Sequence, residues 1–158
     1  MLKLFCTFLL VGAALAQAGE CPFCNPKILE AQSFYEDELV WALYTHEPMF
    51  PGHCLIIPKR HIERFEMLTD EESLQIFRVI KKVDRGVAQV YGTCSYLLLQ
   101  KNGEEVGQTV AHVHVHYIPR QKGESSIIQF FIRMFQSKMS TLSAEEMREN
   151  VEKLQAAM

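Results

Sequence analysis

Four things are missing from this chain, and each absence narrows what it can be. There is no excess of positive charge: sixteen lysines and arginines against nineteen aspartates and glutamates leave a formal net charge of -3. A broadly basic surface for nucleic acid is excluded, and any phosphate contact must come from a local site of backbone N–H groups, imidazoles and a few cations. There is no membrane-length apolar run, since the uncharged stretch from Leu4 to Ala16 is too short to span a bilayer comfortably. Internal repeats, Pro-rich linkers and low-complexity tracts are also missing, so 158 residues read as one domain. Finally, the five cysteines are not spaced as a disulfide framework, which favours reduced thiols.

What is present begins with the N-terminus. Lys3 precedes the apolar run and Ala16-Gln17-Ala18 is a small-x-small cleavage pattern, so residues 1–18 read as a secretory signal peptide. The alternative is a buried N-terminal helix or a start codon assigned too early. Glu20 stands where a lipoprotein anchor at Cys21 would need a small residue. The location that follows is secreted or periplasmic with a true signal and cytoplasmic otherwise. Next comes Cys21-Pro22-Phe23-Cys24, a CxxC pair compatible with a redox couple or with half of a zinc site.

The pattern beyond it predicts an α+β fold. A short helix or turn is expected around Asn25 to Ala31, then a hairpin from Phe34 to Tyr44 that turns at Glu36-Asp37-Glu38. Cys54 to Pro58 reads as a central strand. Thr69 and Glu72 form a capping box for a long helix whose Ile76, Ile80, Val83 and Val87 recur at helical spacing as core. Strands are expected over Ser95 to Gln100 and Val110 to Ile118, in one antiparallel sheet with helices packed on one side. The tail carries an aromatic stretch with Phe130, Phe131 and Phe135, a core-covering helix or a subunit contact in preference to a membrane element, then a final helix capped by Ser143 and Glu146.

The most informative run is His112-Val113-His114-Val115-His116, which holds three of the six histidines. In a strand, alternate side chains share a face, so the three imidazoles are expected to line one site. Imidazole serves as nucleophile, acid, base or metal ligand near neutral pH. Gly103 and Gly107 precede the run and Pro119-Arg120 follows it, the setting of a site and not of a solvated face.

The segment Gly107-Gln108-Thr109-Val110-Ala111-His112-Val113-His114-Val115-His116 resembles the signature of the histidine triad superfamily of nucleotide hydrolases and transferases. It is most similar to the fragile-histidine-triad and dinucleoside polyphosphate hydrolase branch. Pro51-Gly52-His53 and Pro58-Lys59-Arg60-His61 extend the resemblance, which runs from about Cys21 to Arg120. It implies a histidine triad domain over residues 19–123 and a helical extension over 124–158. Because the family is mostly intracellular, it also weakens the case for export.

The resemblance implies roles residue by residue. His114 would be the nucleophile forming a nucleotidyl-imidazole, its other ring nitrogen held by a backbone carbonyl, and His116 would serve the phosphate and leaving group. His53, Gly107, Gln108 and Thr109 would contact phosphate, as would Asn102, although the register puts Lys101 where relatives carry that amide. Thr45 stands where the family places a ribose-binding Asn or Asp, and the strand around Trp41 would wall the base. Cys21, Cys24, His61 and His112 would hold a structural zinc; no catalytic metal is required, and magnesium could arrive on a polyphosphate. The implied protein is a homodimeric nucleotide hydrolase cleaving a phosphoanhydride or phosphoramidate, with no nucleic-acid partner and no stable membrane insertion. A nucleotidyl transferase and a nucleotide-binding sensor with incidental hydrolysis are the alternatives.

Overall fold

The computed structural model describes residues 21–123, 126–137 and 140–158. The stretch read as a signal peptide lies outside the described residues. Among them, no helix is long and apolar enough to cross a membrane, and Cys21, Cys24, Cys54 and Cys94 are free thiols.

Local chemistry sets the first elements. A single 3-10 turn, Pro22–Cys24, leads into α1 (Pro26–Gln32), where the Asn25 side chain accepts the Lys27 N–H and Pro26 occupies the first turn. Strands β1 (Ser33–Glu36) and β2 (Val40–Tyr44) form the expected hairpin. Its turn is closed by the Asp37 carboxylate, which accepts the N–H groups of both Leu39 and Val40. Strand β3 (Cys54–Pro58) is buried along its whole length, as its continuous apolar run requires of a central strand.

The turn before β3 matters for the site. Gly52 has a φ of +87°, its N–H donates to the Tyr44 hydroxyl, and a Cβ there would lie 2.7 Å from the Val87 side chain. Only glycine fits, and this close seat delivers His53 to the start of β3.

Helix α2 (Asp70–Tyr91) begins at the Thr69–Glu72 capping box and ends at Gly92 in the left-handed conformation. Ile76, Val79, Ile80, Val83 and Val87 form its buried stripe, each worth roughly 1.5–3 kcal/mol of transfer free energy. Strands β4 (Ser95–Gln100) and β5 (Val115–Arg120) complete a five-stranded antiparallel sheet in the order β1-β2-β3-β5-β4. Helices α3 (Ile127–Ser137) and α4 (Ala144–Gln155) follow, the latter opened by the Ser143–Glu146 capping box.

Two features differ from expectation. Helices cover both faces of the sheet: α2 and α4 pack on Val40, Ala42, Ile56 and Val115, while Leu29 of α1 and Phe130 of α3 pack on the opposite face. The cause is strict alternation in β2 and β3, which leaves Leu43, Leu55 and Ile57 as a second apolar face that also needs cover. The last strand also starts at Val115, not Val110. Its ladder with β3 ends at the Ile56–Val115 pair, and two residues beyond Ile56 stands Pro58, which has no N–H to extend it. Residues 110–114 instead form a bend in which the Val113 N–H donates to the Ile62 carbonyl.

Candidate active site and metal cluster

The later start of β5 divides the histidine run between two places. His112, in the bend, is fully buried beside His61, Cys21 and Cys24, whereas His114 and His116 line a cavity of about 180 Å3 on the α3 side of the sheet. The expectation that all three imidazoles line one site is corrected on this point. Val113 and Val115 are buried as the alternation requires, but residues 110–114 lie off the sheet, and this carries His112 to the thiols.

Hydrogen bonds assign the ring protons in the cavity. His114 Nδ1–H donates to the His112 carbonyl at 2.7 Å, which leaves the lone pair on Nε2. His53 Nδ1 accepts the Met49 N–H at 3.2 Å, so its proton sits on Nε2 and donates to His116 Nδ1 at 3.1 Å. His116 therefore carries its own proton on Nε2. One imidazole thus offers a lone pair and its neighbour, with ring centroids 5.1 Å apart, offers an N–H.

Burial keeps these rings neutral. It pushes His53 down to about 4 and lowers His114, against the raising effect of the His112 carbonyl. For His116 burial acts together with the positive charge that His53, His114 and Lys101 can carry, and the ring is pushed down to about 2.

The remaining predicted residues divide in the same way. Thr45, Lys101, Gly107 and Thr109 line the cavity with His53. Lys101 Nζ donates to the Gly107 carbonyl at 3.2 Å and so draws that loop onto the mouth. Asn102 and Gln108 do not reach the lining. Asn102 accepts the Phe65 N–H and donates to Glu66, while Gln108 accepts the Gly103 N–H and donates to the Glu63 and Val110 carbonyls. Both amides spend their hydrogen-bonding groups on bracing the loop. Trp41 is also elsewhere, packed with Leu43 and Ile57 under the Lys59 ammonium at 4.4 Å. The apolar lining comes from Phe23, Leu55, Leu99, Ile118 and Met134, with Ser137 on the same wall. None of these six is among the residues that the motifs single out. Leu55 and Leu99 flank His116 in register, and Phe23 is carried in by the CxxC turn, but no local signal places Met134 or Ser137 there.

At the other end of the run, one ligand atom from each of Cys21, Cys24, His61 and His112 lies within 4.8 Å of all the others. Cys21 Sγ is 3.5 Å and Cys24 Sγ 3.7 Å from His112 Nδ1, and Cys24 Sγ is 3.4 Å from His61 Nδ1. Bonds of about 2.0–2.3 Å in a tetrahedron give edges of roughly 3.3–3.8 Å. His112 Nε2–H donates to the Pro58 carbonyl at 2.9 Å, which turns the Nδ1 lone pair inward, the usual support for a ligating histidine. Burial and the neighbouring Cys21 push the Cys24 thiol up to about 11. A cation placed between these donors would reverse that shift, so the set can hold a metal ion.

The family model for the HIT domain matches residues 27–123. A HIT-like protein of Methanocaldococcus jannaschii is 38% identical over 114 residues, covering 70% of this chain and 86% of its own length. The asymmetrical bis(5'-nucleosyl)-tetraphosphatase of Schizosaccharomyces pombe is 38% identical over 96 residues, 61% of this chain. The match spans 53% of that enzyme, about half its length. Among solved structures, a Zn-bound histidine triad family protein from Mycobacterium smegmatis superposes with a TM-score of 0.67 at 23% identity, covering 89% of this chain and 94% of that one, a likeness of fold.

Proposed function

This chain belongs to the HIT domain family, and from that premise we propose that it is a nucleotide hydrolase that cleaves a nucleoside phosphoanhydride or phosphoramidate through a covalent nucleotidyl intermediate on His114. The observation that carries this reading is the complementary pair of tautomers, a bare Nε2 on His114 beside a protonated Nε2 on His116. In the first half-reaction the His114 lone pair forms a bond to phosphorus as the bond to the leaving oxygen or nitrogen breaks. The leaving atom takes the proton from His116 Nε2. In the second half a water gives a proton back to His116 while its oxygen displaces His114, restoring both rings. Splitting one difficult displacement in two is the advantage of a covalent nucleophile.

The same reading has Thr109 and the backbone at Gly107 bind phosphate and makes the cluster of Cys21, Cys24, His61 and His112 a structural zinc site. Zinc when bound supplies cross-linking of the CxxC turn to the approach to β5. The protein is read as a homodimer joined through β4, a strand with no partner on its outer edge among the described residues, where Tyr96 and Leu97 are 43% and 42% exposed. Light scattering of wild type against Leu97→Lys tests the last point, with a monomer expected from the variant.

The central test is single turnover with a nucleotide labelled on the phosphate attached to the nucleoside, quenched in base, where a phosphoramidate on histidine survives. Wild type should retain label and His114→Ala should not. Full hydrolysis by the variant with no trapped label in either protein would overturn the reading.

A further inference from the structure

Residues beyond the matched stretch 27–123 reach the candidate active site. Helix α3 is seated by Phe130, which is 9% exposed and packs with Ile118 and Phe50, the two phenyl rings stacked at 6.5 Å. Met134 and Ser137 lie one and two turns further along the same stripe, and both line the cavity. The opposite stripe, with Ile128, Phe131 and Phe135, is exposed, so the helix divides cleanly into a seated face and a bare one.

The direction of this wall follows from β5. His116 and Ile118 share a face of the strand, about 6.5–7 Å apart, and the His114 ring stands 5.1 Å from that of His116, centroid to centroid. Phe130 rests on Ile118 and Met134 packs with Leu99, the ladder partner of His116, so this part of α3 stands beside the His116 end of the cavity. If phosphorus is at His114 and the leaving atom at His116, whatever the leaving group carries beyond that atom meets α3.

We propose that Met134 and Ser137 form a selectivity wall for the leaving group, favouring an organic body joined to phosphate, such as a second nucleoside, over bare inorganic polyphosphate. The inference rests on the hydrolase reading above. Met134, grouped with Leu99 and Ile118, offers an adaptable apolar surface suited to a planar ring. The Ser137 hydroxyl donates to the Met134 carbonyl at 3.1 Å, which leaves its oxygen to accept a hydrogen bond from the ligand. Lys101 on the same lining takes phosphate charge. A pyrophosphate leaving group would satisfy Lys101 but leave the apolar wall facing water.

The test uses two substrates that share one nucleotidyl half: a dinucleoside polyphosphate, and the nucleoside triphosphate that would release pyrophosphate. Met134→Gln keeps side-chain length and helix propensity and should lower kcat/KM for the dinucleoside substrate about 10-fold, leaving the triphosphate within about 2-fold. Ser137→Leu, at the helix end where packing is least at risk, should shift the ratio the same way. Phe135→Gln, on the bare stripe, should shift neither. Thermal melting reports on folding. If wild type turns over neither of these nor a nucleoside phosphoramidate, the hydrolase reading fails and this inference with it; if it turns over the phosphoramidate alone, only the wall is overturned. If wild type turns over both and the ratio is unchanged in Met134→Gln and Ser137→Leu, the wall alone is overturned.

Discussion

His112 and His116 stand four residues apart in the same motif and face opposite demands. His112 gives Nε2–H to the Pro58 carbonyl and turns its lone pair on a cluster of thiols. His116 accepts from His53 on Nδ1 and is left with an N–H facing the cavity. Between them His114 borrows from both regions, since its tautomer is held by the carbonyl of His112 while its ring faces His116. The role of an imidazole is set by which nitrogen the surrounding backbone has already claimed, and neighbours in sequence can have opposite nitrogens claimed.

Damage at the two ends of the run should differ in kind. The largest effect is expected from His114→Ala. Loss of a covalent nucleophile should lower kcat by at least about 10^3-fold while the melting temperature moves by only a few degrees, because the side chain faces a cavity. Steady-state kinetics alongside calorimetry checks both halves of the statement.

At the cluster the ordering should invert. Chelation, or Cys21→Ser with Cys24→Ser, should lower the melting temperature by roughly 10 °C, the equivalent of about 3–4 kcal/mol of ligand-linked stability. The rate constant per folded molecule should fall less than 10-fold. Purified protein with less than about a tenth of an equivalent of zinc under non-chelating conditions would remove the metal half of the contrast.

Acid tests the cavity end. His53, normally 6.5, is held at about 4 in the fold by burial, so between those values the unfolded chain binds the proton more tightly. Stability from this ring is complete above pH 6.5 and falls as the pH drops through that window, by about 2 kcal/mol at pH 5. His116 is shifted in the same direction and adds to the slope. Urea unfolding at pH 7 and pH 5 in wild type and His53→Gln separates this effect from acid release of a metal, because only the former shrinks in the variant.

The smallest effect belongs to Lys101, whose ammonium lies at the mouth of the cavity. Lys101→Gln should reduce the preference for a dinucleoside polyphosphate over a nucleoside phosphoramidate by a factor of about 2–5, as expected for a partly screened charge. The difference must shrink as salt rises, and a salt-independent ratio would assign Lys101 to holding Gly107 alone.

Much of this was legible in adjacent residues. Both capping boxes, the hairpin turn at Asp37, the buried β3 and the stripe of α2 stand where periodicity and turn chemistry put them. The Cys21, Cys24, His61 and His112 set also comes together as the resemblance implied. Asn102 and Gln108 were the misleading residues. An amide near a phosphate loop can serve the ligand or the loop, and the choice depends on whether partners such as the Phe65 N–H and the Glu63 carbonyl arrive from another segment.

Residue order alone determined an α+β domain with an alternating histidine run and a CxxC turn, because caps, alternation and motif spacing act over a few residues of chain. The division of the triad, the proton positions on its rings and the wall supplied by α3 required the folded molecule. Each depends on groups far apart in the chain, such as Pro58 ending a ladder near His112 or Phe130 seating on Ile118. Such pairings are chosen by how the sheet buries its second face, and that is a property of the packed chain.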